Sequence, residues 1–96
     1  MLVQRLKEDL KFSLKSGNKN RTGVLRYLLS EVYNEEKAKQ AAGREPVLSD
    51  DEATRVLQKE SKKRKDAIEL FEQGGRADLV AKEDEALKFI EEYLPR

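Results

Sequence analysis

The segment SDDEATRVLQKESKKRKDAIELFEQGG, residues 49–75, decides the fold class of this 96-residue chain. Ser49 is followed three residues later by Glu52, which is the S-x-x-E pattern of a capping box. In this motif the serine hydroxyl and the glutamate carboxylate each accept a backbone N–H at the start of a helix. An apolar stripe at helical spacing follows, and the glycines at 74–75 end it. The segment therefore predicts an α-helix from about Asp50 to Gln73.

Three further helices are predicted on either side of this one, because apolar residues recur there at helical spacing. Gly17 and Gly43 are placed to end the first two, and Pro46 forbids helix in the connector that follows. Pro95 closes the last. The expected ranges are Leu2 to Lys15, Asn20–Thr22 to Ala42, and Arg76 or Asp78 to Tyr93.

Four helices with short links predict an all-α fold, with the helices in packed antiparallel hairpins. Unequal helix lengths favour an irregular bundle, and the length of the chain predicts one domain over residues 1–96. Leucines recur every four residues along the first helix, and we expect this stripe to face the core. Its members are Leu2, Leu6, Leu10 and Leu14. The aromatic residues expected in or beside the core are Tyr27, Tyr33, Phe71, Phe89 and Tyr93.

The composition removes several classes of chemistry. The chain has no cysteine and no histidine, which excludes disulfides, thiolate metal sites and every catalytic triad that needs imidazole. None of its serines has a histidine to activate it, so we predict no catalytic residue. Because the usual histidine and cysteine ligands are also absent, we predict no metal, and we expect no cofactor. No apolar run approaches the ~18 residues of a membrane span. We therefore expect no membrane partner and a cytoplasmic location.

A basic block is the feature that stands above this background. Residues 55–65 contain six cations and one carboxylate, and several long cations on a rigid helix suit phosphate binding. A-form RNA in particular is recognised largely through its backbone and 2′-hydroxyl groups. The alternative is a solvated face, with Arg64 at a core position where it ion-pairs with a neighbouring helix. The residues alone leave both interpretations open.

The order of motifs along the chain resembles the YqeY family, also described as the GatB/YqeY group. The resemblance rests on VLRYLLSEVYNEE (24–36), VLSDDEATRVLQKE (47–60) and KKRKDAIELFEQGGRADLVAKEDEALKFIEEYLP (62–95). Its most specific pieces are KRKD (63–66), Gly75-Arg76-x-Asp78-Leu79, Lys82-Glu83 and Tyr93-Leu94-Pro95. Family members usually continue past this point into a second small helical region, which we expect to be absent from this chain.

The resemblance implies a function related to tRNA. YqeY-like proteins are similar to the helical tail of the B subunit of tRNA-dependent amidotransferases, which helps to hold tRNA while other domains transfer the amide. It implies tRNA, or a tRNA-modifying or aminoacylating enzyme, as partner. The residues implied to contact tRNA are Lys62, Lys63, Arg64 and Lys65, with Arg21, Arg26 and Arg76 as further candidates.

Two other functions stay open at this point. The acidic fourth helix and the polar end of the second would suit a helical protein-interaction module without RNA binding. The family label instead names a carbon–nitrogen ligase with glutamine as the amido-nitrogen donor. The residues give that activity no phosphate-activating loop, metal site or amidase nucleophile.

Overall fold

The structure, a computed structural model, describes residues 1–95 and contains no strand in that range. The four helices confirm the predicted all-α class, and their bounds lie within about two residues of those expected. They are α1 (Leu2–Ser16), α2 (Lys19–Ala41), α3 (Asp50–Gln73) and α4 (Ala77–Glu91). In residues 1–95, no helix combines the length and apolar character needed to cross a membrane.

Side-chain caps and glycines set the helix ends. The capping box of α3 is confirmed, since the Ser49 hydroxyl accepts the Glu52 N–H at 3.1 Å and the Glu52 carboxylate accepts the Ser49 N–H at 2.9 Å. Gly17 ends α1 in the left-handed conformation, with φ at 76°, where glycine carries no Cβ penalty. Helix α4 stops at Glu91, two residues before the expected Tyr93, and the chain continues in tighter turns in which the Tyr93 N–H donates to the Ile90 carbonyl at 3.0 Å and the Leu94 N–H to the Glu91 carbonyl at 3.2 Å.

The helices form two antiparallel hairpins, α1 with α2 and α3 with α4, which pack against each other. Tight turns at 17–18 and 74–76 require this antiparallel order. The connector between the hairpins folds back on α2, where the Lys39 ammonium donates to the Val47 carbonyl at 2.6 Å and to Glu52 at 2.8 Å. The buried core comprises Leu6, Leu25, Leu28, Val32, Leu48, Ala53, Leu57, Ile90 and Tyr93.

The predicted burial is wrong for three residues, which are exposed in the structure. Leu14 is 49% exposed, and the neighbouring Ser13 is buried instead, donating to the Asn18 carbonyl at 3.2 Å and accepting the Thr22 hydroxyl at 3.0 Å. Tyr27 and Tyr33 are also exposed, at 40% and 57%. Of the other aromatics, Tyr93 is buried and Phe71 and Phe89 are half-buried.

Candidate nucleic-acid interface

Helix α3 presents a row of cations on the side turned away from the core. Arg55, Lys59, Lys62 and Lys63 are all exposed. They fall within about 100° of one another around the helix and within about 12 Å along it. We call these four residues the α3 cationic face. The fully buried Leu57 on the opposite side fixes the rotation of the helix.

The charges of this face are weakly neutralised. Lys62 pairs with Asp66 at 3.3 Å, and Lys63 lies 3.9 Å from Glu60. Both lysine side chains remain more than 60% exposed, and exposed pairs of this kind contribute little. Within residues 1–95, no carboxylate lies within 4.0 Å of the Arg55 or Lys59 cation. The face therefore keeps most of its positive charge for a ligand.

Lys65 belongs to a different surface. It lies about 160° around the helix from Lys63, beside the end of α4. A shallow depression brings it together with Lys88, Glu91 and Leu94. Of the four basic-block residues predicted as tRNA contacts, only Lys62 and Lys63 thus share the exposed face.

Arg64 points inward and joins α3 to α4. Its guanidinium lies 2.9 Å from the Glu83 carboxylate and 3.4 Å from that of Glu60, and it sits over the Tyr27 ring at 5.5 Å from the centroid. Its side chain is 20% exposed. Arg64 thus makes the ion pair with a neighbouring helix that the alternative interpretation of the basic block describes.

Glu60 is the buried member of this cluster, at 4% exposure. Burial raises the pKa of its carboxyl, and the positive charges of Arg64 and Lys63 oppose that rise. Glu31 and Glu83 add like charge and raise the pKa further. Without Arg64, the ionised Glu60 would therefore lie in an unfavourable environment.

Arg21 also lies between helices. It donates to the Tyr93 hydroxyl at 3.2 Å, pairs with Glu92 at 3.0 Å and stacks on the Phe89 ring at 5.4 Å. Burial alone would lower the pKa of Arg21, but the contacts with Tyr93 and Glu92 together raise it. Tyr93 in turn donates to Asp9 at 2.5 Å. These contacts fasten the end of the second hairpin to the first.

The last two predicted contacts, Arg26 and Arg76, lie outside α3. Arg26 is exposed on α2. Arg76 precedes α4 and pairs with Asp78 at 3.2 Å, and its hydrogen bonds to that carboxylate lower the pKa of Asp78. In residues 1–95 no group of three or more acidic side chains is placed to hold a metal ion.

A groove lies between α2 and α4, and the sequence does not predict it. The exposed Lys19 and Lys82 lie at its rim, and Gly23, Tyr27 and Ala86 also line it. The indication in the sequence is Gly23, because glycine is unfavourable in the interior of a helix. Helix α2 begins at Lys19, so Gly23 lies in its second turn.

The chain matches the sequence model of the family described as "Yqey-like protein" over residues 3–96. It is 36% identical over 90 residues to an uncharacterized protein of Schizosaccharomyces pombe, covering 94% of this chain and 69% of that protein. It is also 30% identical over 93 residues to "Altered inheritance of mitochondria protein 41, mitochondrial" of Pyrenophora tritici-repentis. This match covers 97% of the chain and 49% of the relative, so the chain spans about half of that protein.

Proposed function

The chain belongs to the Yqey-like family, and on this premise we propose that it binds tRNA, as a module of its own or as an accessory to a tRNA-modifying or aminoacylating enzyme. The resemblance to the helical tail of the amidotransferase B subunit supplies the ligand class. The structure supplies a surface with the chemistry that this ligand requires. We propose binding rather than catalysis, because the chain has no histidine or cysteine to activate a nucleophile.

The observation that carries the proposal is the α3 cationic face. Four exposed cations on one rigid helix can neutralise neighbouring phosphates and release their counterions, which gives affinity without base recognition. Arg64 and Arg21 serve a different purpose, since their guanidinium groups are held by carboxylates between helices. We therefore assign them to the framework that supports the surface.

The protein-interaction alternative receives less support from the contacts of α4. Two of its acidic side chains contact other helices: Glu83 pairs with Arg64 at 2.9 Å, and Glu85 accepts a hydrogen bond from the Asn20 side chain at 2.9 Å. The proposal also does not depend on the compartment. One relative carries "mitochondrial" in its name, and tRNA is present in mitochondria as well as in the cytoplasm.

The test is tRNA binding by fluorescence anisotropy as a function of salt. Four phosphate contacts give a slope of about −3 in log affinity against log salt, which corresponds to an affinity loss of about 60-fold between about 50 and 200 mM. The variant Lys59→Gln/Lys62→Gln/Lys63→Gln keeps one cation of the face. For it we expect a slope near about −1 and a loss of only about fourfold over the same range.

A matched control removes the same charge from another helix. Lys7, Lys11 and Lys15 are exposed at four-residue spacing on α1, so Lys7→Gln/Lys11→Gln/Lys15→Gln changes the net charge equally. This variant should keep the wild-type slope. If both triple variants weaken binding equally, binding depends on net charge alone and not on the α3 cationic face. If the wild type does not bind tRNA at low salt, the proposal is refuted.

A further inference from the structure

The groove between α2 and α4 has a volume of about 290 Å³. This lies at the lower edge of the ~300–1,000 Å³ range of small-molecule sites, so the groove suits one small unit rather than a folded helix. Its lining includes the small or apolar residues Gly23, Val24 and Ala86, together with Tyr27, which is 40% exposed. Part of the Tyr27 surface is thus available to a ligand.

No contact within this chain requires glycine at position 23. It lies inside α2 with helical backbone, where glycine is less favourable than alanine. A Cβ added at this position would meet nothing within 4 Å. Glycine is the usual choice where a ligand approaches the backbone closely, and Gly23 lines the groove.

The charges at the rim favour an anion. Within residues 1–95, no carboxylate lies within 4.0 Å of the Lys19 or Lys82 ammonium. Glu85, the acidic residue of the lining, accepts a hydrogen bond from the Asn20 side chain at 2.9 Å. Arg64 also lines the groove beside the Tyr27 ring, but Glu83 and Glu60 hold its guanidinium at 2.9 and 3.4 Å, so the positive charge of the rim comes from Lys19 and Lys82. The groove thus pairs an apolar, aromatic interior with a cationic rim.

We propose that this groove binds a single nucleotide of an RNA strand, with its base against Tyr27 and its phosphate between Lys19 and Lys82. The inference rests on the proposed function and adds a site distinct from the α3 cationic face. A base supplies a flat π-face for the aromatic ring, and a phosphate supplies the charge for the rim. An acidic peptide offers the charge without the flat apolar part, so it matches only half of the groove.

The test uses the full chain, labelled with ¹⁵N, and an oligoadenylate of about ten nucleotides as the probe. The amides of Gly23 and Lys82 should shift on titration. Gly23→Leu fills the groove with a side chain that helices accept readily, so thermal stability should be unchanged or higher while affinity falls about tenfold or more. Ala38→Leu adds apolar bulk at an exposed position of α2 outside the groove and should bind like wild type.

Wild-type affinity in Gly23→Leu would overturn the groove site. So would a hexaglutamate peptide that shifts the Gly23 and Lys82 amides with an affinity comparable to that of the RNA. The two proposals fail separately. If tRNA binding is lost in the α3 triple variant but not in Gly23→Leu, only the groove proposal falls. If tRNA does not bind while oligoadenylate shifts Gly23, the groove stands as a nucleotide site and the tRNA function falls.

Discussion

Replacing Arg64 by methionine separates a structural arginine from an RNA contact. Methionine keeps much of the apolar stem but removes the guanidinium, which leaves Glu60 buried at 4% exposure without its nearest cation. Removing one partner of a fully buried ion pair typically costs about 3–5 kcal/mol. Arg64 and Glu83 are each 20% exposed, so solvent reduces the loss. We expect the free energy of unfolding of Arg64→Met to fall by about 2–3 kcal/mol at pH 7.

The pH dependence of this loss follows from Glu60. Burial raises the pKa of its carboxyl in the folded state, and without Arg64 that pKa rises further. A carboxyl with a higher pKa in the folded than in the unfolded state destabilises the fold when it is ionised. The deficit of Arg64→Met should therefore shrink as the pH falls from 7 toward the unfolded pKa of Glu60, about 4.3.

Urea denaturation of four proteins measures both effects: wild type, Arg64→Met, Glu60→Gln and the double variant. Neutral glutamine removes the stranded charge, so the double variant should lose less than the sum of the two single losses, by about 1–2 kcal/mol. Arg26→Met removes an exposed arginine from α2 and should change stability by less than about 0.5 kcal/mol. A loss at Arg64 no larger than that at Arg26, or one indifferent to pH, would refute the reasoning.

Two other substitutions test contacts that hold the helices in place. Ser49→Ala removes the hydroxyl that caps the Glu52 N–H, so thermal or urea unfolding should show a loss of about 1 kcal/mol, and an unchanged midpoint would contradict the role of the cap. At Tyr93, burial first and then the hydrogen bond to Asp9 raise the pKa to about 12. A raised pKa in the folded state stabilises the fold while the hydroxyl is protonated, so the wild type should keep this stabilisation below pH 10. It should lose about 2–3 kcal/mol of its free energy of unfolding as the pH rises to 12. Tyr93→Phe should be less stable near pH 7, and its free energy of unfolding should not show the loss between pH 10 and 12 that Tyr93 ionisation causes. If the stability of the two proteins depends on pH in the same way, this role of Tyr93 is disproved.

The helices could be predicted because their ends depend on local contacts. Which residues are buried depends on three-dimensional packing and was harder to predict. The capping box and the glycines act within a few residues, so the ends of α3 follow from sequence alone. The stripe from Leu2 to Leu14 shows the limit of simple spacing. Residues four apart drift by about 40° per step around a helix, so Leu14 lies about 120° from Leu2. Ser13 consequently takes the inward position that Leu14 was expected to fill.

The candidate sites depend on which helices become neighbours, and periodicity does not contain that information. The inward position of Arg64 could be predicted because it continues the stripe that includes Leu57. Its partner Glu83 lies 19 residues away, and the sequence offered several other carboxylates. The contact between Arg21 and Tyr93 spans 72 residues. Lys19 and Lys82 likewise come to line the same groove only when α2 and α4 pack together.

The two-hairpin arrangement has a consequence for the order in which the protein forms during translation. Helices α1 and α2 are complete once residue 41 has been synthesised, whereas α4 ends at residue 91. At about 5–20 residues per second, roughly 3 to 10 s separate these events. Until α3 and α4 have been synthesised, Leu25, Leu28 and Val32 lack the core residues that those helices supply, such as Leu57 and Ile90. The first hairpin is thus the stage at which a nascent-chain chaperone would find an exposed apolar surface.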